Sequence, residues 1–546
     1  MSASHKKQLR KEQNAAQMTE KQREAQAEAK KLRLYTAAFV IVIALLVAVA
    51  AITAVTSSGM IERGTTAVTV DGSKISAVEL NYYYIDSINS YLEQWGDYVS
   101  LTGLDTKKAL DEQFIDTDQT TTWADYFLDQ ATTNIHTVYS IYNQAVAEGY
   151  TLSDEDALTI ESNLSTTELY AMYYYGYSDL DSYLVAMYGA GSNEETYRAY
   201  AEAQYIASAY ANDHYAELTY AEEQLAAALA ENPKAYTFYS YNYYYMPYSD
   251  FLQGGTEGEN GTITYSDEEK AAALTAAKEA AESLLEQNIT SDVLLDKAIK
   301  ALDIKENAAS TSIKNYNSTS VSSVMREWIT ADERQTGDLT VIPYETTTTD
   351  ADGNENTVTN GYYVVLFNGS NDNNYLMNNV RHLLVAFTGG TKGEDGTTTY
   401  SDEEKAKAQS EAENLLAQYL DGDKTEEAFT ALLREHTDDV ASDGTANNDG
   451  LYENIHLNSS YVENFLNWAN DASRTVGETG IVETEYGYHI MFYVGKSEQT
   501  YRDSMITSDL RDKDMTAWED GLMEASTMTV KNTGKVRTDL KLTSGT

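Results

Sequence analysis

Histidine is the side chain whose proton changes hands most readily near neutral pH, and this chain has seven in 546 residues. Four of them lie between residues 377 and 497: His382, His436, His456 and His489. None falls between His214 and His382. His382 lies in VRHLLVAF and His489 in GYHIMFYV, both apolar runs that read as strands. One histidine on such a strand is ordinarily a buried, hydrogen-bonded structural residue. Two acquire chemistry only if their strands are neighbours. Two imidazoles can then bond each other and fix one tautomer pair. His436 and His456 read as surface or helix-end residues. The four together lack the close pair spacing of a metal site, so neither metal nor cofactor is expected. With no cysteine, thiol nucleophiles, thiolate zinc sites and disulfides are excluded.

The elements that must position these histidines are written twice. YSDEEK occurs at Tyr265–Lys270 and again at Tyr400–Lys405, preceded by GGTEGENGTIT and GGTKGEDGTTT. Ser266 with Glu269, and Ser401 with Glu404, are capping boxes, so the hexapeptide is a helix start. Downstream, REWITADERQTGDLTVIP (326–343) parallels LNWANDASRTVGETGIVE (466–483). Each copy reads as a strand, helices and two closing strands, a small α+β unit. An acidic, Thr-rich insert in the first copy, ETTTTDADGNENTVTN, reads as an exposed hairpin or loop. NGSNDNN (368–374) reads as a linker. At the position of His489 the first copy has Tyr363.

Ahead of the repeat, AVTVDGSKIS opens with a strand and an Asp-Gly turn, and Ser76 with Glu79 starts a helix. From Leu80 to about Ala230 the spacing predicts helices broken at Gly149, Gly176 and Gly189–Gly191. After the repeat, Tyr501 to about Ser526 reads as helix. Met528–Lys531 reads as a strand that packs back on the region 67–230.

Residues 1–33 carry a net charge of +5, which leaves −53 for the rest of the chain. Such a surface repels nucleic acid. Leu34 to Ile61 has no charged residue. It is long enough for a membrane-spanning helix, with a cytoplasmic basic side. A cleaved signal peptide is the competing reading.

The run VRHLLVAF, EAFTALLREHTDD, NDGLY, YVENFLNWA, GETGIVETEYGYHIMFY resembles the parvulin-type peptidylprolyl isomerase domain over about residues 377–497. The surrounding plan resembles membrane-anchored extracytoplasmic foldases of the PrsA and SurA type. That resemblance implies an α+β multidomain chain with these parts: a basic tail (1–33), a transmembrane helix (34–61), a helical chaperone lobe (62–235), a degenerate parvulin-like domain (236–372), an isomerase domain (373–500) and a C-terminal helix and tail completing the lobe (501–546). It implies His382 and His489 as paired catalytic residues, with Asp439 at the position held by Cys or Asp. It implies Tyr461 and Phe465 as the apolar floor for a proline ring, Thr484 from the closing motif, and Leu451 as a pocket leucine. Tyr486 stands where Ser or Thr is usual.

The expected function is an extracytoplasmic folding factor that isomerises X–Pro bonds in newly exported, unfolded polypeptides at the second copy only. A non-catalytic holdase of the same architecture is the first alternative. An acidic surface binding protein is the second.

Overall fold

The computed structural model describes residues 3–16, 30–31, 33, 36–49, 58–257, 261–349, 355–393, 396–442, 444–537, 540 and 542. Residues 36–49 are helical. The expected span 34–61 also takes in residues 34–35 and 50–57, which lie outside the described residues. Among the described residues, no helix is long and apolar enough to cross a membrane.

The chain divides into two compact units, 1–218 with 513–546 and 219–512. In the first, strands β1 (Thr66–Val70) and β2 (Ser73–Ser76) are joined by a tight turn at Asp71-Gly72. The C-terminal strand Met528–Val530 pairs antiparallel with β1, placing Val530 opposite Val68. Helix α1 (Ala77–Trp95) follows β2 directly, and the Ser76 hydroxyl accepts from the Glu79 amide. Helices α2 (Trp123–Ala147), α3 (Asp154–Tyr173), α4 (Leu180–Tyr188) and α5 (Glu194–Glu217) follow in this unit, and the C-terminal helix Tyr501–Ala525 enters it from residue 513. Its core is unusually rich in tyrosine. Tyr82, Tyr83 and Tyr84 on α1 are buried with Trp123, Phe127 and Ile135 of α2. A buried tyrosine keeps a polar handle, and two of them serve half-buried acids: Tyr139 donates to Glu79, and Tyr200 to Asp86.

The second unit holds two antiparallel four-stranded sheets. The first copy comprises β3 (Phe238–Pro247), α6 (Asp267–Leu285), α7 (Asp292–Ala301), β4 (Thr311–Asn317), α8 (Ser323–Ile329), β5 (Leu339–Thr349) and β6 (Glu355–Asn371). Its strand order is β4-β3-β6-β5. The second copy comprises β7 (Leu376–Ala386), α9 (Asp402–Asp421), α10 (Glu426–His436), β8 (Leu451–Ile455), α11 (Glu463–Ala469), β9 (Thr479–Glu483) and β10 (Gly487–Thr500). Its order, β8-β7-β10-β9, is the same topology.

Each copy thus has an edge strand, β4 or β8, that the pattern of strand, helices and two closing strands leaves out. Neither sequence, TSIKNYN or LYENI, alternates apolar and polar residues as a half-buried strand would. The Thr-rich insert is a hairpin, with Glu345 opposite Thr359. The expected linker 368–374 is shorter than its sequence suggests, because β6 runs on through Asn371. Asn373 is buried and donates through Nδ2 to the Tyr236 carbonyl.

Alternation along β7 and β10 gives the second sheet two different faces. Leu383, Val385, Ile490 and Phe492 point to α9 and α10 and pack with Ala412, Phe429 and Leu433. Val380, His382, His489 and Met491 point the other way, toward α11 and its Phe465.

Candidate active site

The register of β7 and β10 sets the site. Met491 pairs with His382, and His489 pairs with Leu384. The two histidines are therefore diagonal neighbours on one face, close enough for long side chains to meet. They do meet: Nδ1 of His489 lies 3.1 Å from Nδ1 of His382. Their residues are 6 % and 4 % exposed. Gly487 begins β10 at φ +154, where an added Cβ would lie 2.2 Å from the Val385 carbonyl oxygen, so the strands approach this closely only with glycine there.

Asp439 arrives from the loop after α10. That loop docks along β7 beyond the end of β8. The Leu384 amide donates to Thr437 Oγ1, the Asp438 amide to the Leu384 carbonyl, and the Ala386 amide to the Asp438 carboxylate. This fixes the Asp439 carboxylate 3.2 Å from His382 Nε2. Tyr452 of β8 donates to the same carboxylate oxygen at 2.8 Å. The His382 bond, with help from Tyr452, holds the Asp439 carboxyl down at about 2, so it is ionised in neutral solution.

An ionised carboxylate only accepts, and this gives the whole chain one direction. His382 donates through Nε2–H to Asp439, and a neutral ring then has Nδ1 as its acceptor. His489 must then donate through Nδ1–H, leaving its Nε2 as an acceptor. Thr484 Oγ1, 2.9 Å away, supplies the hydrogen bond to that nitrogen. Burial, and then the neighbouring His382, push the His489 pKa down to about 3. His489 is accordingly neutral at physiological pH.

Above the pair lies a cleft of about 340 Å³ lined by both histidines, Asp439, Tyr452, Tyr461 and Phe465, with Tyr486 at its edge. Phe465 is 3 % exposed, with its ring centroid 5.3 Å from His382 and 5.6 Å from His489. Tyr461 extends this floor outward, 5.3 Å from Phe465. The walls are thus mostly carbon, with one polar row at the bottom.

His382, His489, Asp439, Tyr461, Phe465 and Tyr486 come together. Thr484 does not line the cleft; it stands behind His489 and is buried. Leu451 does not line it either. It pairs with Arg381, whose side chain leaves the opposite face of β7 toward Glu426. Tyr452, one residue on, pairs with Val380 and takes the pocket position, its ring 4.7 Å from His382. The sequence reading missed Tyr452, and the signal for it was a count of two along an edge strand whose register was unknown. His436 ends α10. His456 is stacked on Tyr501 at 3.8 Å and lies outside the cleft.

Residues 362–496, from β6 into β10, match the family model of the PPIC-type PPIASE domain. The chain carries a PPIC-type PPIase domain. None of the curated proteins matches the chain. Among solved structures, PrsA from Bacillus subtilis is similar at 12 % identity, over 77 % of this chain and 91 % of that one, with a TM-score of 0.24. The peptidylprolyl isomerase PrsA of Bacillus anthracis is 17 % identical over 28 % of this chain and 59 % of its own length, with a TM-score of 0.17. That of Bacillus cereus is 19 % identical over 31 % and 56 %, also at 0.17. The chain therefore spans a little under three fifths of the length of these last two.

Beside the PPIase domain, the first copy has tyrosines where the second has histidines. Gly361 pairs with Pro247 as Gly487 pairs with Ala386. Counting from those pairs puts Tyr243 at the place of His382 and Tyr363 at that of His489. Their rings lie 5.8 Å apart, and Tyr245 packs 4.8 Å from Tyr363.

Proposed function

We propose that the second copy catalyses rotation about X–Pro bonds in unfolded polypeptides and that the first copy does not. The observation that carries this reading is the buried His382–His489 pair with its single donor direction, set beneath an apolar cleft. Rotation crosses a barrier of about 18–20 kcal/mol for an ordinary peptide bond, set by amide resonance. The twisted amide has lost that resonance and is less dipolar than either planar form. A water-poor, carbon-lined cleft favours it relative to the ground state. Phe465 and Tyr461 supply the surface for the proline ring. The histidine row holds fixed dipoles at the base of the cleft, with His489 neutral. No bond to a nucleophile is needed.

The cleft keeps about 340 Å³ with Tyr486 in place, and Tyr486 is 60 % exposed. That favours the isomerase over a holdase blocked by this tyrosine. The fuller role is an extracytoplasmic foldase, anchored through the apolar run 34–61, whose first unit holds exported clients while the second unit turns their prolines. Its support is the sequence plan and the PPIase domain together.

The test is cis–trans exchange of a proline tetrapeptide by the full-length chain in detergent. Wild type accelerates exchange, His489→Ala reduces kcat/KM at least tenfold, and Tyr363→Phe leaves it unchanged. An inert wild type, or full activity in His489→Ala, overturns the reading.

A further inference from the structure

Outside the PPIase domain and the N-terminal apolar run 34–61, the hairpin of α3 and α4 leaves large apolar side chains uncovered in the first unit. One side of this hairpin is ordinary core: Ile160, Leu164, Leu180 and Leu184 are buried together. The other side is not. Leu169, Tyr170, Tyr173 and Tyr174 are 56 %, 54 %, 80 % and 76 % exposed, and Tyr175 is 57 % exposed. Large apolar groups scattered singly need no explanation, but a contiguous run of this kind marks an interaction surface.

The surface is shaped. A cleft of about 450 Å³ lies among Thr166, Leu169, Tyr170, Tyr173 and Tyr174. A second, of about 370 Å³, lies between Tyr175, Tyr177 and Tyr183 on one side and Leu92 and Glu93 of α1 on the other. Consecutive residues, Tyr174 and Tyr175, thus line one cleft each. The rings are also ordered: Tyr170 stacks on Tyr174 with centroids 5.2 Å apart, and Tyr175 on Tyr183 at 6.0 Å.

Charge chooses the occupant. Residues 154–188 contain seven tyrosines and seven acids and no lysine, arginine or histidine. Among the described residues, two cations that bond the hairpin from other elements are already engaged. Arg198 of α5 binds Glu161 and Glu194, and Arg537 donates to the carbonyls of Ala186 and Met187. An acidic segment would be repelled here. A cationic one would find carboxylates for its charge and tyrosine faces for guanidinium or ammonium groups.

We infer that the α3–α4 hairpin binds extended polypeptide segments in which Arg or Lys alternates with apolar residues. The apolar side chains enter the two clefts and the cationic ones lie across the exposed tyrosine rings. This is a binding activity separate from the histidine cleft and needs no proline in the ligand.

The experiment is fluorescence anisotropy of the full-length chain with three labelled peptides lacking proline: (Leu-Arg-Ser)4, (Leu-Gln-Ser)4 and (Leu-Glu-Ser)4. Because no proline is present, failure here and failure of the isomerase reading are distinguishable. The Arg peptide binds at least tenfold more tightly than the Glu peptide. The combined Tyr170→Ser, Tyr173→Ser and Tyr174→Ser variant binds it at least fivefold more weakly, with unchanged melting of the first unit. Glu168→Lys weakens it without touching a ring. Equal affinity for all three peptides, no binding of the Arg peptide, or an unaffected triple variant overturns the inference. So does binding of the tyrosine surface to phosphatidylcholine vesicles in place of peptide, which would make it a membrane contact.

Discussion

Acid should loosen the second sheet through one residue, and the size of the effect can be worked out. His489 is 6 % exposed, and burial holds its pKa at about 3 against 6.5 for a free imidazole. The unfolded chain therefore takes up a proton that the folded chain refuses. Above pH 6.5 neither state binds it and stability is complete. Between pH 6.5 and about 3, the unfolded state is favoured by about 1.4 kcal/mol for each unit of acidification. From pH 6.5 to 4.5 the loss is about 2 kcal/mol. Asp439 adds nothing in that window, since its contribution falls away only below its ordinary value of 3.8.

Hydrogen exchange of peptides covering Gly487–Thr500 reads this directly, because amide protection reports the free energy of opening that strand. After correction for intrinsic exchange rates, wild type loses about 2–3 kcal/mol more protection than His489→Gln between pH 6.5 and 4.5. Other acids titrate in both proteins and cancel in the difference. If the two proteins show the same pH dependence, His489 is not held neutral by burial, and the donor direction assigned to the histidine row is wrong.

Two further substitutions probe how the row is held. Gly450 has φ +65, and an added Cβ would lie 2.1 Å from Leu433 Cδ1 and 2.6 Å from the His382 carbonyl oxygen. Gly450→Ala should cost about 2–5 kcal/mol from backbone strain and overpacking, read as a fall in melting temperature together with isomerase activity. Tyr452→Phe removes one hydrogen bond to the Asp439 carboxylate but keeps the ring against His382. The Asp439 pKa should rise from about 2, as followed by carboxyl chemical shift against pH, while the cleft keeps its shape.

What the sequence made legible depended on how locally each feature is encoded. Both capping boxes form as their spacing demands: the Glu269 and Glu404 amides donate to Ser266 and Ser401, and each glutamate carboxylate accepts back from its serine amide. The helix breaks at Gly149, Gly176 and Gly189–Gly191 were equally readable, since each is decided within a few residues, but the same reading ran helix through 96–122, which is 3-10 turns and loop. Two histidines 107 positions apart were legible as candidates but not as neighbours, because strand adjacency is a long-range fact. Tyr452 was unreadable for a sharper reason. A shift of one residue in register exchanges the two faces of a strand, and LYENI is too short and too exposed for its pattern to choose.

The two copies differ in kind as well as in detail. What they share word for word is scaffold. In each, the glutamate of the repeated hexapeptide caps its own helix and also accepts from a glycine amide of the preceding turn, Gly255 to Glu269 and Gly390 to Glu404. That double use ties a loop and a helix start to one carboxylate, so a change in either disturbs the other. The floor of the sheet carries no such linkage. Tyr243 and Tyr363 fill, with ring-on-ring contacts, the places that His382 and His489 occupy with a hydrogen bond. A phenol cannot relay a directed bond through two opposed nitrogens as an imidazole pair can, so the first copy can keep its fold while losing the chemistry. Restoring Tyr243→His and Tyr363→His alone should therefore not create an isomerase. The acid must come too, since in the second copy the Thr437-Asp438-Asp439 loop is set against β7 and puts its carboxylate on His382.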